Sequence, residues 1–296
     1  MRLWNGWGNE DSDLTMELSD GLRALLEALV GPGTALSQAT LKEVIDKVAN
    51  TRLDDHPLIK TDPETRVRHA RGQSLPDWLE MHSGNVDTFP DGVAFPESSD
   101  QVRDLLVHAK ENNLIVIPYG GGTSVVGHIN PETSKKPVLT IDMGKMNSLL
   151  SIDTESQLAT FGAGTPGPVV EEELKKRGYT LGHFPQSWEL STLGGWVASR
   201  SSGQQSLHYG RIENMFAGGT IETLNGTMTI PTIPASSAGP DIREMILGSE
   251  GRMGIITEVT IRITHLPEKE KFQVIFFPSW EIGISAAREL IQQRVA

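Results

Sequence analysis

Ile115-Val116-Ile117-Pro118-Tyr119-Gly120-Gly121-Gly122-Thr123-Ser124 carries the chain from a short apolar run into three consecutive glycines and two hydroxyls. Ile115 to Pro118 predicts a short buried strand. Beyond it, no side chain shields the backbone. The N–H groups of such a loop approach an anion closely, and Thr123 and Ser124 add donors. The chemistry suited to this is the cradling of a pyrophosphate. The loop is not a Walker sequence, because no Gly-Lys-Ser/Thr comes after it. Nor is it the dinucleotide fingerprint, whose third glycine would fall on Val125. Taken alone, such a loop is more often a plain turn.

Two later segments share this texture. Gln186-Ser187-Trp188-Glu189-Leu190-Ser191-Thr192 precedes Gly194-Gly195-Trp196 and then Ser199-Arg200-Ser201-Ser202-Gly203. Small and hydroxyl residues dominate, so backbone and hydroxyl groups can hug a flat polar ligand; a surface loop is the alternative. Gly248-Ser249-Glu250-Gly251-Arg252-Met253-Gly254-Ile255-Ile256 sets three glycines before a strand, which fits close backbone approach or a tight turn. In that strand Ile255, Thr257, Val259, Ile261 and Ile263 alternate with Ile256, Glu258, Thr260 and Arg262, predicting one buried face before Pro267 breaks it.

Around these segments the pattern is mixed. Residues 1 to about 87 read as mostly helical. Leu22, Leu25, Leu26 and Leu29 make one helix face ended by Gly31-Pro32-Gly33, and a second helix runs from about Leu41 to Asn50. Val67 to Gly72 and the residues just after Gly72 read as irregular. Ser98 to Gln101 fits a capping box ahead of an amphipathic helix with Val102, Leu105, Leu106 and Ala109 inward. Val138 to Asp142 is a strand, and Ser151–Asp153 with Leu158–Phe161 a strand pair. Val169, Val170 and Leu174 lie on a helix stopped by Gly178. Phe272–Phe277 reads as one more strand and Glu281–Gln293 as one more helix.

Composition narrows the function. The net charge of −12 disfavours nucleic acid and anionic lipid as partners. Lys135-Lys136 and Lys175-Lys176-Arg177 are too short to reverse that. Absence of cysteine removes disulfides, thiolate metal sites, a catalytic thiol and a cysteinyl-flavin link, and fits a reducing compartment. No zinc-like spacing joins the eight histidines, so no metal is expected. His183 and His208 flank the second motif; a hydrogen-bonded structural role is expected for each. The start carries no secretory signal and no apolar run reaches a membrane-spanning length, so a soluble, cytoplasmic chain is expected.

Together, Pro118 to Ser124, Gln186 to Thr192, Ser199 to Ser202 and Glu250 to Ile256, in that order, resemble the vanillyl-alcohol-oxidase and para-cresol-methylhydroxylase (PCMH) family of FAD-linked oxidases. Trp4-Asn5-Gly6-Trp7-Gly8 and Arg66 to Gly72 look most like its alkyldihydroxyacetonephosphate synthase branch. The resemblance implies an α+β fold: a PCMH-type FAD-binding domain of two α+β subdomains at 88–267, with the cofactor between them. A helical region at 1–87 precedes it, and 268–296 would be the first strand and helix of a truncated cap domain that holds a small-molecule or lipid-like substrate. It implies FAD contacts from all four segments, including Tyr119, Gly120, Gly121, Gly122, Thr123, Ser187, Trp188, Glu189, Leu190, Ser191, Arg200, Ser201, Gly251, Arg252, Met253, Gly254 and Ile255. Two departures are visible. Arg252-Met253 replaces a common Thr-Leu, and His128 follows Gly127 where a small residue is usual. The histidine pattern does not match relatives with covalent flavin, so noncovalent FAD is expected. The implied reaction is exchange of acyl for alkyl on acyl-dihydroxyacetone phosphate, in ether lipid synthesis. FAD-dependent 2-hydroxyacid oxidation and a flavin-binding fragment without turnover are the alternatives. The catalytic side chains are expected beyond Ala296, and a homodimer is expected of the full-length protein.

Overall fold

The computed structural model describes residues 2–11, 18–34 and 36–293. The chain forms two compact units. One comprises residues 1–94, 113–117 and 122–141; the other comprises 95–112, 118–121 and 142–296.

In the first unit, helices form where a capping residue meets an apolar face. Ser19 accepts the Leu22 N–H at the start of α1 (Asp20–Val30), which Gly31 closes. Its face of Leu25, Leu26 and Leu29 remains exposed. Thr40 and Glu43 build a capping box on α2 (Leu41–Ile45). This helix ends well short of Asn50, because the Lys47 and Val48 N–H groups turn back to the carbonyls three residues earlier. The stretch read as irregular is partly helical. Asp62 caps α3 (Pro63–Arg68), which has proline in its first turn, and Ser74 with Asp77 caps α4 (Leu75–Ser83). Val44, Val67, Ala70, Met81 and Val86 form the small core these helices share. Among the described residues of 1–87, helix occupies only these stretches.

The same unit holds a four-stranded sheet. Its strands are β1 (Ile59–Lys60), β2 (Gly92–Ala94), β3 (Ile115–Tyr119) and β4 (Val138–Asp142), in the order β1-β2-β4-β3. β2 and β4 run parallel. Ile115 to Pro118 is half-buried rather than buried as its composition predicts. Two arginines, Arg52 and Arg66 of α3, tie the N-terminal region to the segment that leads into β2. Arg52 pairs with the buried Asp91 at 2.6 Å, and Arg66 donates to the Pro90 carbonyl at 2.6 Å.

The second unit centres on a five-stranded antiparallel sheet. It contains β5 (Leu149–Asp153), β6 (Leu158–Gly162), β8 (Phe216–Thr223), β9 (Gly226–Ile230) and β10 (Ile255–Arg262), ordered β5-β6-β10-β8-β9. β7 (Tyr179–Thr180) pairs separately with β11 (Thr264–His265). β10 is central, so it is buried on both faces rather than one. Register shifts at Ile256/Glu258 and Thr260/Ile261 break the strict alternation, and Ile256 joins the core with Val259 and Ile261. α5 (Ser99–Glu111) lays Val102, Leu105, Leu106 and Ala109 inward, as expected. Its N-terminus is half the expected box. Ser98 accepts the Gln101 N–H, but the Gln101 side chain bonds the N–H of Glu97 instead. Arg103 of α5 reaches the fully buried Glu222 of β8 at 3.1 Å, and Thr227 also donates to that carboxylate. Such a buried carboxylate is tolerated because every contact on it is a donor.

Five further helices lie against or beside this sheet: α6 (Gly167–Lys175), α7 (Leu193–Ser199), α8 (Ser206–Tyr209), α9 (Ile212–Met215) and α10 (Ile242–Ile246). α11 (Trp280–Gln293) buries no residue. The expected strand Phe272–Phe277 does not form. Phe272, Val274 and Phe276 are each more than four-fifths exposed, and no neighbouring strand supplies the ladder an extended segment needs. No helix among the described residues is long and apolar enough to cross a membrane.

Phe161 is fully buried on β6 opposite Val259 of β10. Phe161→Ala is expected to destabilise this unit by about 3–5 kcal/mol, read from urea unfolding followed by circular dichroism.

Candidate functional site

Three of the four motif segments lie wholly in the second unit, which also holds Pro118 to Gly121 of the first segment. β3 hands the chain to Gly120 and Gly121, which press against the segment 190–192. A Cβ on Gly120 would stand 2.5 Å from Thr192 Oγ1, and one on Gly121 would collide with the Leu190 carbonyl oxygen and lie 2.8 Å from Ser191 Cα. On the other flank a Cβ on Gly251, which has φ +81°, would lie 2.8 Å from Pro118 Cγ. So these glycines answer first to loop-on-loop packing. Among the described residues, no hydrogen bond occupies the N–H of Gly120 in this unit, or those of Gly122 and Thr123 in the first unit. Unpaired backbone donors in a partly buried glycine turn fit an anion such as the diphosphate of a dinucleotide. Ser124 is less available, because its hydroxyl lies 3.2 Å from His128 Nδ1 and accepts the Val126 N–H.

The second segment is a tight turn that ends as a helix cap. The N–H groups of Leu190 and Ser191 return to the Ser187 carbonyl. Ser191 Oγ accepts the Trp196 indole N–H at 2.6 Å and donates to the Ser187 carbonyl. Thr192 Oγ1 accepts the Gly195 N–H at the start of α7. Trp188 lies against Gly167 and tilts over Phe184, and its buried indole N–H has no partner among the described residues. Gln186 and Glu189 are exposed.

The third and fourth segments are joined by the C-terminal carbonyls of α7. Val197 and Ala198 accept the N–H groups of Gly248 and Glu250 at 3.1 and 2.9 Å, which satisfies helix carbonyls that otherwise lack partners. Arg200 stands in the left-handed region, with φ +52°. Its guanidinium is committed to two carboxylates, Glu213 at 3.1 Å and Glu244 at 2.8 Å. Its own N–H donates to the Val197 carbonyl and its carbonyl accepts from Arg211, so both side chain and backbone are engaged within the protein. Ser199 and Ser202 are exposed. In the fourth segment Glu250, Arg252 and Met253 are exposed, while Ile255 and Ile256 are core residues of β10. Thr123, Gly122 and Ser124 belong to the first unit.

Residues 90–230 match the sequence profile of the FAD binding domain family. The chain carries an FAD-binding domain of the PCMH type. It is 38% identical to the alkyldihydroxyacetonephosphate synthase of Trypanosoma brucei brucei over 77% of this chain and 37% of that protein. Against the Caenorhabditis elegans enzyme of the same name, identity is 33% over 98% of this chain and 53% of that one. A solved alkyldihydroxyacetonephosphate synthase structure superposes with a TM-score of 0.83 and 30% identity, covering 99% of this chain and 60% of the other. The chain thus spans between about a third and a half of the length of these two curated relatives. Three motif segments lie within the profile-matched part of the FAD-binding domain; Glu250–Ile256 lies beyond it.

Two residues that shape this domain carry no role in the sequence reading. Gly194 is quoted there with the second motif only; a Cβ on it would lie 2.7 Å from that of Ala163, so its absence lets α7 sit close. Glu171 was not singled out. Buried on α6, it accepts the N–H groups of Leu181 and Gly182 and the Thr180 hydroxyl, which fixes the turn that carries His183.

His183 itself is 1% exposed. Its Nε2 lies 2.7 Å from Ser201 Oγ, its ring meets Trp196 edge-on, and its buried Nδ1 has no hydrogen-bond partner among the described residues. Burial pushes its pKa down to about 4. His208, by contrast, is exposed beside Tyr209. A histidine held neutral costs the fold nothing above its unfolded pKa of about 6.5. Below that the unfolded chain binds a proton the folded one refuses, and stability falls until the pH passes about 4. Wild-type protein is expected to lose up to roughly 3 kcal/mol more than His183→Gln on acidification across that window, measured by urea unfolding at stepped pH. Gly121→Asp is expected to abolish FAD retention, because its side chain enters the Leu190 carbonyl and places a carboxylate beside the N–H groups; flavin absorbance of the purified variant checks this.

Proposed function

We propose that this chain holds FAD noncovalently for an enzyme of the alkylglycerone-phosphate synthase type. The single observation that carries the proposal is the set of backbone N–H groups that no hydrogen bond occupies among the described residues: Gly120 in the second unit, where Thr192 packs on it, and Gly122 and Thr123 in the first. In this reading Pro118 to Ser124 binds the diphosphate. Gln186 to Thr192, Ser199 to Ser202 and Glu250 to Ile256 contact the rest of the cofactor, mainly through backbone. The FAD-binding domain then extends over 88–267 after an N-terminal region at 1–87. Residues 268–296 belong to a further, substrate-holding domain. The lack of buried residues on α11 supports that boundary.

Bound FAD supplies an electron-accepting ring. The chain's own part is to bind and orient it. The loop neutralises phosphate charge with oriented dipoles, which need no reorganisation on binding. The turn stiffened by Ser191 and the α7 cap fixes the backbone beside it. Substrate would be an acyl-dihydroxyacetone phosphate whose acyl group is exchanged for an alkyl group, with no net oxidation, by a protein that acts as a homodimer in the cytoplasm. The absence of cysteine supports noncovalent attachment.

Purified protein is expected to show visible flavin absorption, as isolated or after incubation with FAD, and to release it on acid precipitation. A colourless protein after incubation contradicts cofactor binding; colour retained in the acid pellet contradicts noncovalent attachment. Mixed anaerobically with D-lactate, glycolate or D-2-hydroxyglutarate, the holoprotein is expected to stay yellow. Bleaching moves the reading to a 2-hydroxyacid dehydrogenase.

A further inference from the structure

The glycine loop does not end at Ser124. It runs on through Gly127 to Ile129 and Asn130, and in the first unit that continuation is fastened to α4. The Gln73 N–H donates to the Ser124 carbonyl at 2.6 Å, and Gly72 lies so close that a Cβ there would strike the same carbonyl. Asn130 closes the fastening from its other end. Its Oδ1 accepts the Gly72 N–H at 2.9 Å, and its Nδ2 donates to Asp77 Oδ1 at 2.6 Å. Asp77 is 3% exposed. Its second oxygen accepts the Ser74 N–H at 3.0 Å and the Ser74 hydroxyl at 2.7 Å.

A buried carboxylate is costly unless its acceptors are filled. Here hydrogen bonds alone fill them, because among the described residues no Lys or Arg pairs with Asp77. Capping α4 requires only the Ser74 side of this carboxylate. The other oxygen is spent on Asn130, and Asn130 spends its own oxygen on Gly72, next to the backbone that grips Ser124. We propose that Asp77 and Asn130 are positioning residues: their buried hydrogen bond sets the conformation of Gly122 to Ser124 and thereby the affinity for FAD. The inference rests on the diphosphate reading of that loop.

The geometry also provides a rescue. Asn130→Asp alone sets two carboxylates face to face, and Asp77→Asn alone leaves an amide facing an amide. Exchanged together, Asn at 77 donates to Asp at 130 while its oxygen serves Ser74, and Asp at 130 still accepts from Gly72. FAD titration, followed by flavin fluorescence with circular dichroism melts on the same samples, tests this. Each single variant is expected to weaken FAD binding roughly tenfold or more, and the exchange to bring affinity back toward the wild type. Single variants that fold and bind as tightly as the wild type overturn the proposal. So does an exchanged pair that melts like the wild type yet keeps the weak binding. Should the singles not fold, the exchanged pair decides: folded with affinity restored supports the proposal, and weak or unfolded overturns it. If the wild type itself takes up no FAD, it is the proposed function that fails. The latch is then read from amide exchange at 122–130 in the variants, with faster exchange expected in the singles and normal exchange in the pair.

Discussion

The contact between Gly120-Gly121 and the segment 190–192 is the constraint around which the candidate site is arranged. Two stretches some seventy positions apart in sequence approach until no Cβ fits between them. That proximity has three consequences. The glycine loop is held by backbone rather than by side chains. Thr192 is placed to cap α7, and the carbonyls at the far end of α7 then receive Gly248 and Glu250. Three loops thereby become one surface, with α7 as its spacer.

The sheet beneath explains why that surface can be stiff. β10 is buried on both faces, and α7 and α5 both pack on it. Glu222 and Glu171, each buried and each surrounded by donors, fix where helices and turns attach. Interiors are close-packed, so a scaffold of this kind transmits small displacements rather than absorbing them. A loop whose donors must meet a ligand within hydrogen-bond distance gains from that stiffness, because less ordering remains to be done on binding.

Much of this was legible in the sequence, and the failures have physical causes. The amphipathic pattern of α5 was readable because it buries a face with a defined period, and the strand leading into the glycines because its β-branched run stops at them. The helix α3 was not, although Asp62-Pro63 is a helix-start signal; six residues carry too little periodicity to register. The β8–β9 hairpin was also passed over, despite Asn225-Gly226 at its turn. Phe272–Phe277 shows the opposite error, since apolar β-prone residues form no strand without a partner edge. In the site, residue types were informative but their reasons were not. Gly120 and Gly121 are required by packing, and the Arg200 guanidinium, in a segment expected to contact FAD, is bound to Glu213 and Glu244. Such commitments depend on neighbours distant in sequence, which no local pattern encodes.

The central claim is that unoccupied backbone donors of the glycine loop receive the cofactor's diphosphate. Residue-resolved amide hydrogen exchange with and without FAD tests it most directly. The account predicts that exchange at Gly120, Gly122 and Thr123 slows sharply when FAD is added, while the exposed helices α1 and α11 are unaffected. Bound FAD that leaves those three amides exchanging at their free rate would contradict it.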